Sequence, residues 1–408
     1  MSGAEELTTA MRQVEPNKIE TELDNDWRAA NAKALASGGQ AGARTSVLTL
    51  VIYSDTNAQA DRAIHAVRSL TGQHPSRCVV VAPQSAGQDG RPLEAFIRTY
   101  TEGAGGASSS GEEIVLRATP SAAEHLAGVI LPLTISGLPA FLWWQGEPPW
   151  RTELFEASID GFDRLLVDTC EMNKPDRAVI ALDDLIRRKK ASCAITDFSF
   201  ARLTPWRELI AQFFDGAETR GYLNGIDRLS IEYAAGDAGQ PSNAAQGYLL
   251  AGWLASRLGW TIVTGPSNRL LDGAGEHTLV DATKRKISLE ISPRYGIPLT
   301  PWFDLSDADA DGKAIGPGAL MSVYLHSQIN GSPATFSVAR ETKDLRNAST
   351  SCHVPNVSTP SQTIHMPSLG EMASLSAELE RVGHDVVFEE SLVLAAQLLG
   401  APATRSHA

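Results

Sequence analysis

Three tryptophans fall within Trp143-Trp144-Gln145-Gly146-Glu147-Pro148-Pro149-Trp150, the densest aromatic run of the chain. Indoles suit a protein-binding surface because they bury a large apolar area and keep one N–H donor. Neighbouring side chains on a strand point to opposite faces. One of Trp143 and Trp144 is therefore expected in the core, and the other, with Trp150, is free to line a partner surface. Trp206 follows Thr204-Pro205, a helix start with Thr as N-cap and Pro in the first turn. Its helical spacing with Leu209, Ile210 and Phe213 already explains burial.

Catalytic and ligand-binding patterns fail one after another. A dinucleotide cradle needs Gly-x-Gly-x-x-Gly directly after its strand, so that backbone can approach pyrophosphate. Here the turn is Tyr53-Ser54-Asp55-Thr56. The later glycines from Gly103 to Gly111 precede a strand and read as a loop, and no Gly-x-x-x-x-Gly-Lys-Ser/Thr occurs. Asp307-x-Asp309-x-Asp311-Gly312 opens like a calcium loop, but its twelfth position is Gly318, where a bidentate Glu would be required. A solvated acidic loop is expected. Cys352 and His353 are adjacent, so on a strand they diverge and no shared metal is expected. Gly106-Ala107-Ser108 falls short of a nucleophile elbow, because Ser110 replaces the last glycine. Asp160 and Asp163 read as boundary residues before Arg164. The run Arg187-Arg188-Lys189-Lys190 ends a helix and complements its dipole; a sugar-phosphate or partner contact is the alternative. Catalytic, cofactor-binding and metal-binding residues are accordingly expected to be none.

The elements that must position these residues alternate. Ile19, Leu23 and Trp27 mark an N-terminal helix, with Asn17 and Glu20 resembling a capping box, and Ser37 to Gly42 ends it. Val47–Tyr53 is a continuous apolar run, as in a strand covered on both faces. A helix from Asn57 to Gly72 follows, with Ala60, Ile64 and Val67 on one face, and then a strand at Cys78–Val81. Strands at Glu113–Leu116, Phe141–Trp144 and Arg164–Asp168 and helices at Pro120–Ile130 and Arg177–Arg188 continue the alternation, which predicts a mostly parallel sheet with flanking helices. The uncharged stretch Leu126–Trp144 is long enough for a bilayer, but Pro132, Gly137 and Pro139 interrupt it, and a buried strand–turn–strand passage is expected.

The second half reads as α+β with a mixed or antiparallel sheet. Leu229–Tyr233, Lys286–Ile291, Ser322–His326 and Thr335–Ala339 alternate or run as strands. Ser242 caps a helix carrying Tyr248, Gly252 and Ala255. Ser368 and Glu371 begin a helix with Met372, Leu375, Leu379 and Val382, and a last helix spans Val387–Leu399. The expected division is a helical arm over 1–45, an α/β domain over 46–203 and an α+β domain over 204–408.

Across 408 residues, 43% are hydrophobic and 20% charged, values of a globular chain with more than one core. The formal charge of −13 repels nucleic acid and anionic membrane. The N-terminus lacks a basic, then apolar, leader, and the four cysteines are scattered without Cys-x-x-Cys, as suits a reducing cytoplasm.

Four segments, in order, resemble the glucose-6-phosphate dehydrogenase assembly protein family, OpcA, known from cyanobacteria and actinobacteria. They are His74-Pro75-Ser76-Arg77; Leu131-Pro132-Leu133-Thr134-Ile135-Ser136-Gly137-Leu138-Pro139-Ala140-Phe141-Leu142-Trp143-Trp144; Asp163-Arg164-Leu165-Leu166-Val167-Asp168; and Asp197-Phe198-Ser199-Phe200-Ala201-Arg202-Leu203-Thr204-Pro205-Trp206-Arg207. The resemblance implies a cytoplasmic, non-catalytic protein that binds glucose-6-phosphate dehydrogenase, promotes its assembly and activates it allosterically, supporting the oxidative pentose phosphate pathway and NADPH supply. Trp143, Trp144, Arg202, Trp206 and Arg207 lie in the segments that carry it and are the partner-contact candidates. Some members are thought to answer to thioredoxin through a C-terminal cysteine pair; Cys352 is alone in that half, so no disulfide confined to it can form. The competing readings are a sugar-phosphate-binding protein or lactonase-like enzyme of the same pathway, and a purely structural assembly factor.

Overall fold

The structure, a computed structural model, describes residues 9–36, 44–84, 91–102, 109–123, 125–189, 193–237, 243–263, 268–269, 275–305, 312–358, 361–366 and 369–402. The chain forms two compact units that alternate along the sequence. The first takes 1–167, 189–195 and 376–384; the second takes 168–188, 196–375 and 385–408.

The first unit is built on an eight-stranded sheet. Its strands are β1 (Arg12–Val14), β2 (Leu48–Tyr53), β3 (Ser76–Pro83), β4 (Leu93–Glu102), β5 (Ser109–Ala118), β6 (Ala140–Trp144), β7 (Arg164–Val167) and β8 (Ala194–Asp197), in the order β1-β4-β5-β3-β2-β6-β7-β8. The neighbours from β5 through β3, β2 and β6 to β7 are parallel, and β4 and β1 extend the sheet antiparallel. This is the mostly parallel sheet expected from the alternation. The parallel strands read as unbroken apolar runs because helices cover both faces: Leu50, Val51 and Ile52 are all fully buried. The helix Asn57–Ser69 starts at a complete capping box, with Thr56 and Gln59 each accepting from the other's backbone.

Strand β4 has no counterpart among the expected elements. Its sequence carries Glu94 and Arg98, which hide the apolar pattern. Arg98 lies directly opposite Glu113 of β5 and pairs with it at 2.7 Å, so the charges are absorbed within the sheet. The expected helix Pro120–Ile130 is two short turns, Pro120–Ala123 and Ala127–Ile130. Leu126–Trp144 is not strand–turn–strand. Pro132 enters a 3-10 turn at Leu131–Leu133, Gly137 turns with φ +80°, and only Ala140–Trp144 is extended.

The second unit holds a ten-stranded mixed sheet. Its strands are β9 (Ile226–Ala234), β10 (Thr261–Ile262), β11 (Asn268–Arg269), β12 (Gly275–Val280), β13 (Lys286–Arg294), β14 (Leu320–Ile329), β15 (Ser332–Glu341), β16 (Asp344–Val354), β17 (Val357–Ser358) and β18 (Gln362–His365). The main order is β10-β12-β13-β9-β14-β15-β16-β17, antiparallel apart from the β13–β9 pair. Alternate residues of β13 are buried and exposed, so one face is solvated, as its sequence predicts. The helices Ala245–Leu258 and Val386–Leu398 pack closely, because a Cβ at Gly252 would lie 2.2 Å from the Ser391 carbonyl oxygen.

Thr204 and Pro205 start a helix, Thr204–Gln212, but Leu203 is its N-cap and Thr204 is the first helical residue. Trp206, Leu209 and Ile210 are buried there, while Phe213 is half-buried and Phe214 takes the interior place. On the helix Glu371–Leu379 Met372 is exposed, and so is Val382 beyond it; Leu375 and Leu379 form the buried stripe. The calcium-like run at Asp307, Asp309 and Asp311, most of the Gly103–Gly111 stretch, Ser37 to Gly42, Lys190, and the expected caps Ser242 and Ser368 lie outside the described residues. Among the described residues no helix is long and apolar enough to cross a membrane, and no group of three or more His, Cys, Asp or Glu is placed to hold a metal ion.

Candidate functional site

Four charged residues of the signature segments, Arg77, Arg164, Asp197 and Arg202, are turned inward. In the first unit Arg77, on β3, is 4% exposed. It donates to Glu112 (2.6 Å), to Glu20 of the N-terminal helix (2.5 Å) and to the Leu133 carbonyl (2.9 Å). Glu112 also accepts from Trp27 Nε1 at 2.6 Å. One guanidinium thus holds the N-terminal helix, a sheet strand and the turn that precedes β6. Asp163 accepts from the Ala140 N–H at 2.8 Å and so aligns the start of β6 beside β7. Arg164, 1% exposed, pairs with Glu378 at 3.1 Å and donates to the Gly383 carbonyl. His74 Nε2 lies 3.2 Å from Ser376 Oγ. The last two contacts hold 376–384 in this unit.

In the second unit the segment from Asp197 to Arg207 builds a second buried network. Arg202 binds both Asp168 oxygens, at 2.8 and 2.7 Å, donates from Nε to the Leu369 carbonyl at 3.0 Å, and lies 4.1 Å from the centroid of Trp302. Bidentate pairing and stacking use the planar fork of arginine in a way lysine cannot reproduce. Asp197 accepts from Thr169 N (3.0 Å), Thr169 Oγ1 (2.6 Å) and Ser199 N (3.0 Å). Burial, then the charge of Asp168, pushes its carboxyl up to about 6 against those three hydrogen bonds. Glu171 accepts from the Trp302 N–H at 2.8 Å, and burial raises its carboxyl too, helped by the charge of Asp168. The cluster combines shifted carboxyls with an arginine, but Arg202 and Asp197 are almost wholly enclosed.

The aromatic segment, in the first unit, is different. Trp143 and Trp144 diverge from β6 as adjacent strand residues must: Trp143 is 1% exposed and Trp144 is half-buried. Trp144 stacks on Tyr53 (4.4 Å between centroids, 6° between planes) and meets Phe155 edge-on at 4.9 Å. Phe155 in turn meets Trp150 at 6.0 Å. Gly146, with φ +82°, makes the turn that follows, and a Cβ there would lie 2.0 Å from the Asp55 carboxylate. Tyr53, Asp55 and Trp144 line a crevice of about 370 Å³ beyond the carboxyl ends of β2, β3 and β6. Burial pushes the Tyr53 phenol up to about 12.

The five residues singled out from sequence therefore fall into two groups. Trp143, Arg202 and Trp206 are enclosed by their own units. Trp144 and Arg207 are half-buried and keep surface; Arg207 lies over Phe200 at 4.1 Å and donates to Thr204 Oγ1 at 2.8 Å. Sequence reasoning missed Tyr53, Asp55 and Gln84 as crevice residues, because only pairing of β2 with both β3 and β6 brings them together. Arg187 and Arg188 pair with Asp183 and Asp184 one turn back on their helix, so these two arginines of the basic run are tied down locally.

Two family models match in chain order. Residues 67–184 match the glucose-6-phosphate dehydrogenase subunit N-terminal domain, and residues 193–392 match the C-terminal domain of the same subunit. Curated relatives carry the name OxPP cycle protein OpcA. The one from Nostoc punctiforme is 27% identical over 80% of this chain and 65% of its own length. The one from Synechococcus elongatus is 27% identical over 82% and 70%, and that from Synechocystis is 37% identical over 38% and 30%. The chain thus spans just under two thirds of the Nostoc relative. Among solved structures, a 3-ketoreductase from Actinomadura kijaniata superposes with a TM-score of 0.44 at 10% identity, over 88% of this chain and 98% of that one; a likeness that low supports no inference. Two domain models in order, and relatives aligned along four fifths of the sequence, show that the chain belongs to the glucose-6-phosphate dehydrogenase subunit family, OpcA.

Proposed function

We propose that this chain is a cytoplasmic, non-catalytic partner of glucose-6-phosphate dehydrogenase that promotes its assembly and activates it allosterically. The observation that carries this reading is the ordered match to both domains of a family described as a subunit of that dehydrogenase. Activation requires tighter binding to the active form of the dehydrogenase than to the inactive one. A coupling of about 1–3 kcal/mol would change substrate affinity about 5–150-fold.

The partner-contact residues in this reading are Trp144 of the first unit and Arg207 of the second; Trp143 is buried in the first unit, and Arg202 and Trp206 in the second. A half-buried indole backed by Tyr53 and Phe155 is pre-organised, so little conformational freedom is lost on docking. The surface charge of this acidic chain favours a basic patch on the partner.

The test is titration of the purified chain into the dehydrogenase from the same organism while glucose-6-phosphate saturation is followed. A fall in KM or a rise in maximal rate, with both proteins in one gel-filtration peak, is expected. Unchanged kinetics without co-elution would sink the reading. Turnover of 6-phosphogluconolactone by the chain alone would favour the lactonase-like alternative.

A further inference from the structure

In the first unit a groove of about 530 Å³ lies between the helix Asn57–Ser69 and the strand pair β4–β5. Register sets its floor. Phe96 lies opposite Val115, Arg98 opposite Glu113 and Glu94 opposite Arg117, so these side chains share one face of the sheet. Ile64, His65 and Arg68 line the groove from the helix.

The groove is cationic on an acidic chain: Arg68, Arg98 and Arg117 stand against the two carboxylates of Asp61 and Glu113. Glu113 is fully engaged. Arg68 donates to its Oε2 at 2.7 Å, and Arg98 donates to both oxygens at 2.7 and 2.9 Å. Asp61 is exposed on the helix. Arg117 is left over. Its cross-strand neighbour Glu94 is enclosed and accepts instead from Gln13 Nε2. Among the described residues the Arg117 guanidinium makes no ion pair and no hydrogen bond; it lies over Phe96, 5.1 Å from the ring centroid. Its Nε is enclosed, which leaves the two terminal nitrogens of this half-buried side chain as the donors open to a ligand. Stacking on a ring holds a guanidinium in place while its donors stay unspent, and a fork so held suits a carboxylate or a phosphate. Arg68 and Arg98 keep 32% and 18% of their side-chain surface, so they too can be reached. Ile64, Phe96 and Val115 make the rest of the lining apolar. An apolar hollow with a few converging charged groups is the usual form of a small-molecule site.

We propose that this groove binds a small organic anion with an apolar or aromatic body. The carboxylate or phosphate of the ligand accepts from the terminal nitrogens of Arg117, and its body packs along Phe96, Ile64 and Val115. An inorganic anion makes only the first of these contacts. A sugar phosphate sets its hydroxyls against an apolar floor that offers them no partner. None of the lining residues is a dehydrogenase-contact candidate, so this site and that reading can fail independently.

Calorimetric titration of the full chain with phenyl phosphate, phenylacetate, inorganic phosphate, glucose 6-phosphate and benzyl alcohol tests the proposal. At least one of the two aromatic anions is expected to bind with one-to-one stoichiometry, at least tenfold more tightly than each of the other three probes. The tighter of the two tells a phosphate from a carboxylate. Arg117→Gln should weaken that anion at least tenfold and leave Tm unchanged, because no partner charge is stranded. Ile64→Glu, which adds a carboxylate to the half-buried helix wall, should abolish binding in a chain that keeps its circular-dichroism spectrum. No binding of either aromatic anion at millimolar concentration would overturn the proposal. So would equal affinity for glucose 6-phosphate or benzyl alcohol, or an affinity that survives both substitutions.

Discussion

Arg164, the first residue of β7, pairs at 3.1 Å with Glu378, which lies 214 residues further along the chain. Both side chains are almost fully enclosed, and the guanidinium also donates to the Gly383 carbonyl. Removing one member of such a pair strands the other charge, whereas replacing both by apolar groups does not. Arg164→Ala should therefore lower unfolding stability by about 3–5 kcal/mol in urea denaturation. The double change Arg164→Met with Glu378→Leu should recover most of that loss. A double variant as unstable as the single one would refute this account.

Arg202 poses a geometric test rather than a charge test. Lysine keeps the charge but cannot grip both Asp168 oxygens or stack on Trp302. Arg202→Lys is expected to destabilise by about 2–3 kcal/mol, the scale of charged hydrogen bonds lost in a buried site. Equal stability of the two forms would show that the pair acts only through its charge.

Asp197 makes stability depend on pH. Its folded carboxyl titrates at about 6, above the value of about 3.9 for an unfolded aspartate. Between these values the folded state holds more protons than the unfolded one, so stability falls as pH rises. The contribution is fully present below about pH 4 and lost as pH passes 6. Asp197→Asn cannot ionise, and its amide oxygen can still accept from the Thr169 and Ser199 N–H groups. The difference in unfolding free energy between pH 4 and 7.5 should shift by about 2–3 kcal/mol relative to the parent. A parallel pair of pH profiles would contradict the assigned shift.

The two adjacent tryptophans should separate stability from partner binding. Trp143→Ala empties a fully enclosed site and should cost about 3–5 kcal/mol. Trp144→Ala removes a half-buried ring and should cost less, while weakening activation of the dehydrogenase. Denaturation curves and activation titrations on both variants decide it. Full activation by a folded Trp144→Ala chain would remove Trp144 from the contact surface.

The thiols should be silent in the native state. All four cysteines are free and buried. Burial pushes the Cys193 thiol up to about 12 and raises Cys78 and Cys170 as well. Thiolate is the reactive form, so a disulfide reagent should label the native chain slowly and all four sites after denaturation. Rapid native labelling of any cysteine would reopen a redox role for this chain.

Much of this architecture is legible from local pattern alone. Unbroken apolar runs identified β2, β3 and β6, helical spacing placed Ile19, Leu23 and Trp27 inward, and strict alternation marked β13 as half-solvated. These features depend on neighbours two to four residues apart, where the periods of strand and helix operate. The order of the signature segments was likewise enough to place the chain among its relatives. The tertiary structure decided whatever depends on distant partners. Charged β4 is a strand because Arg98 meets Glu113 across the sheet, and Arg202 is enclosed because Asp168, Leu369 and Trp302 converge on it. The crevice beside Trp144 exists because β2, β3 and β6 end together, and no spacing along the chain encodes that meeting. Local periodicity specifies which face of an element is buried; only long-range packing specifies what it is buried against.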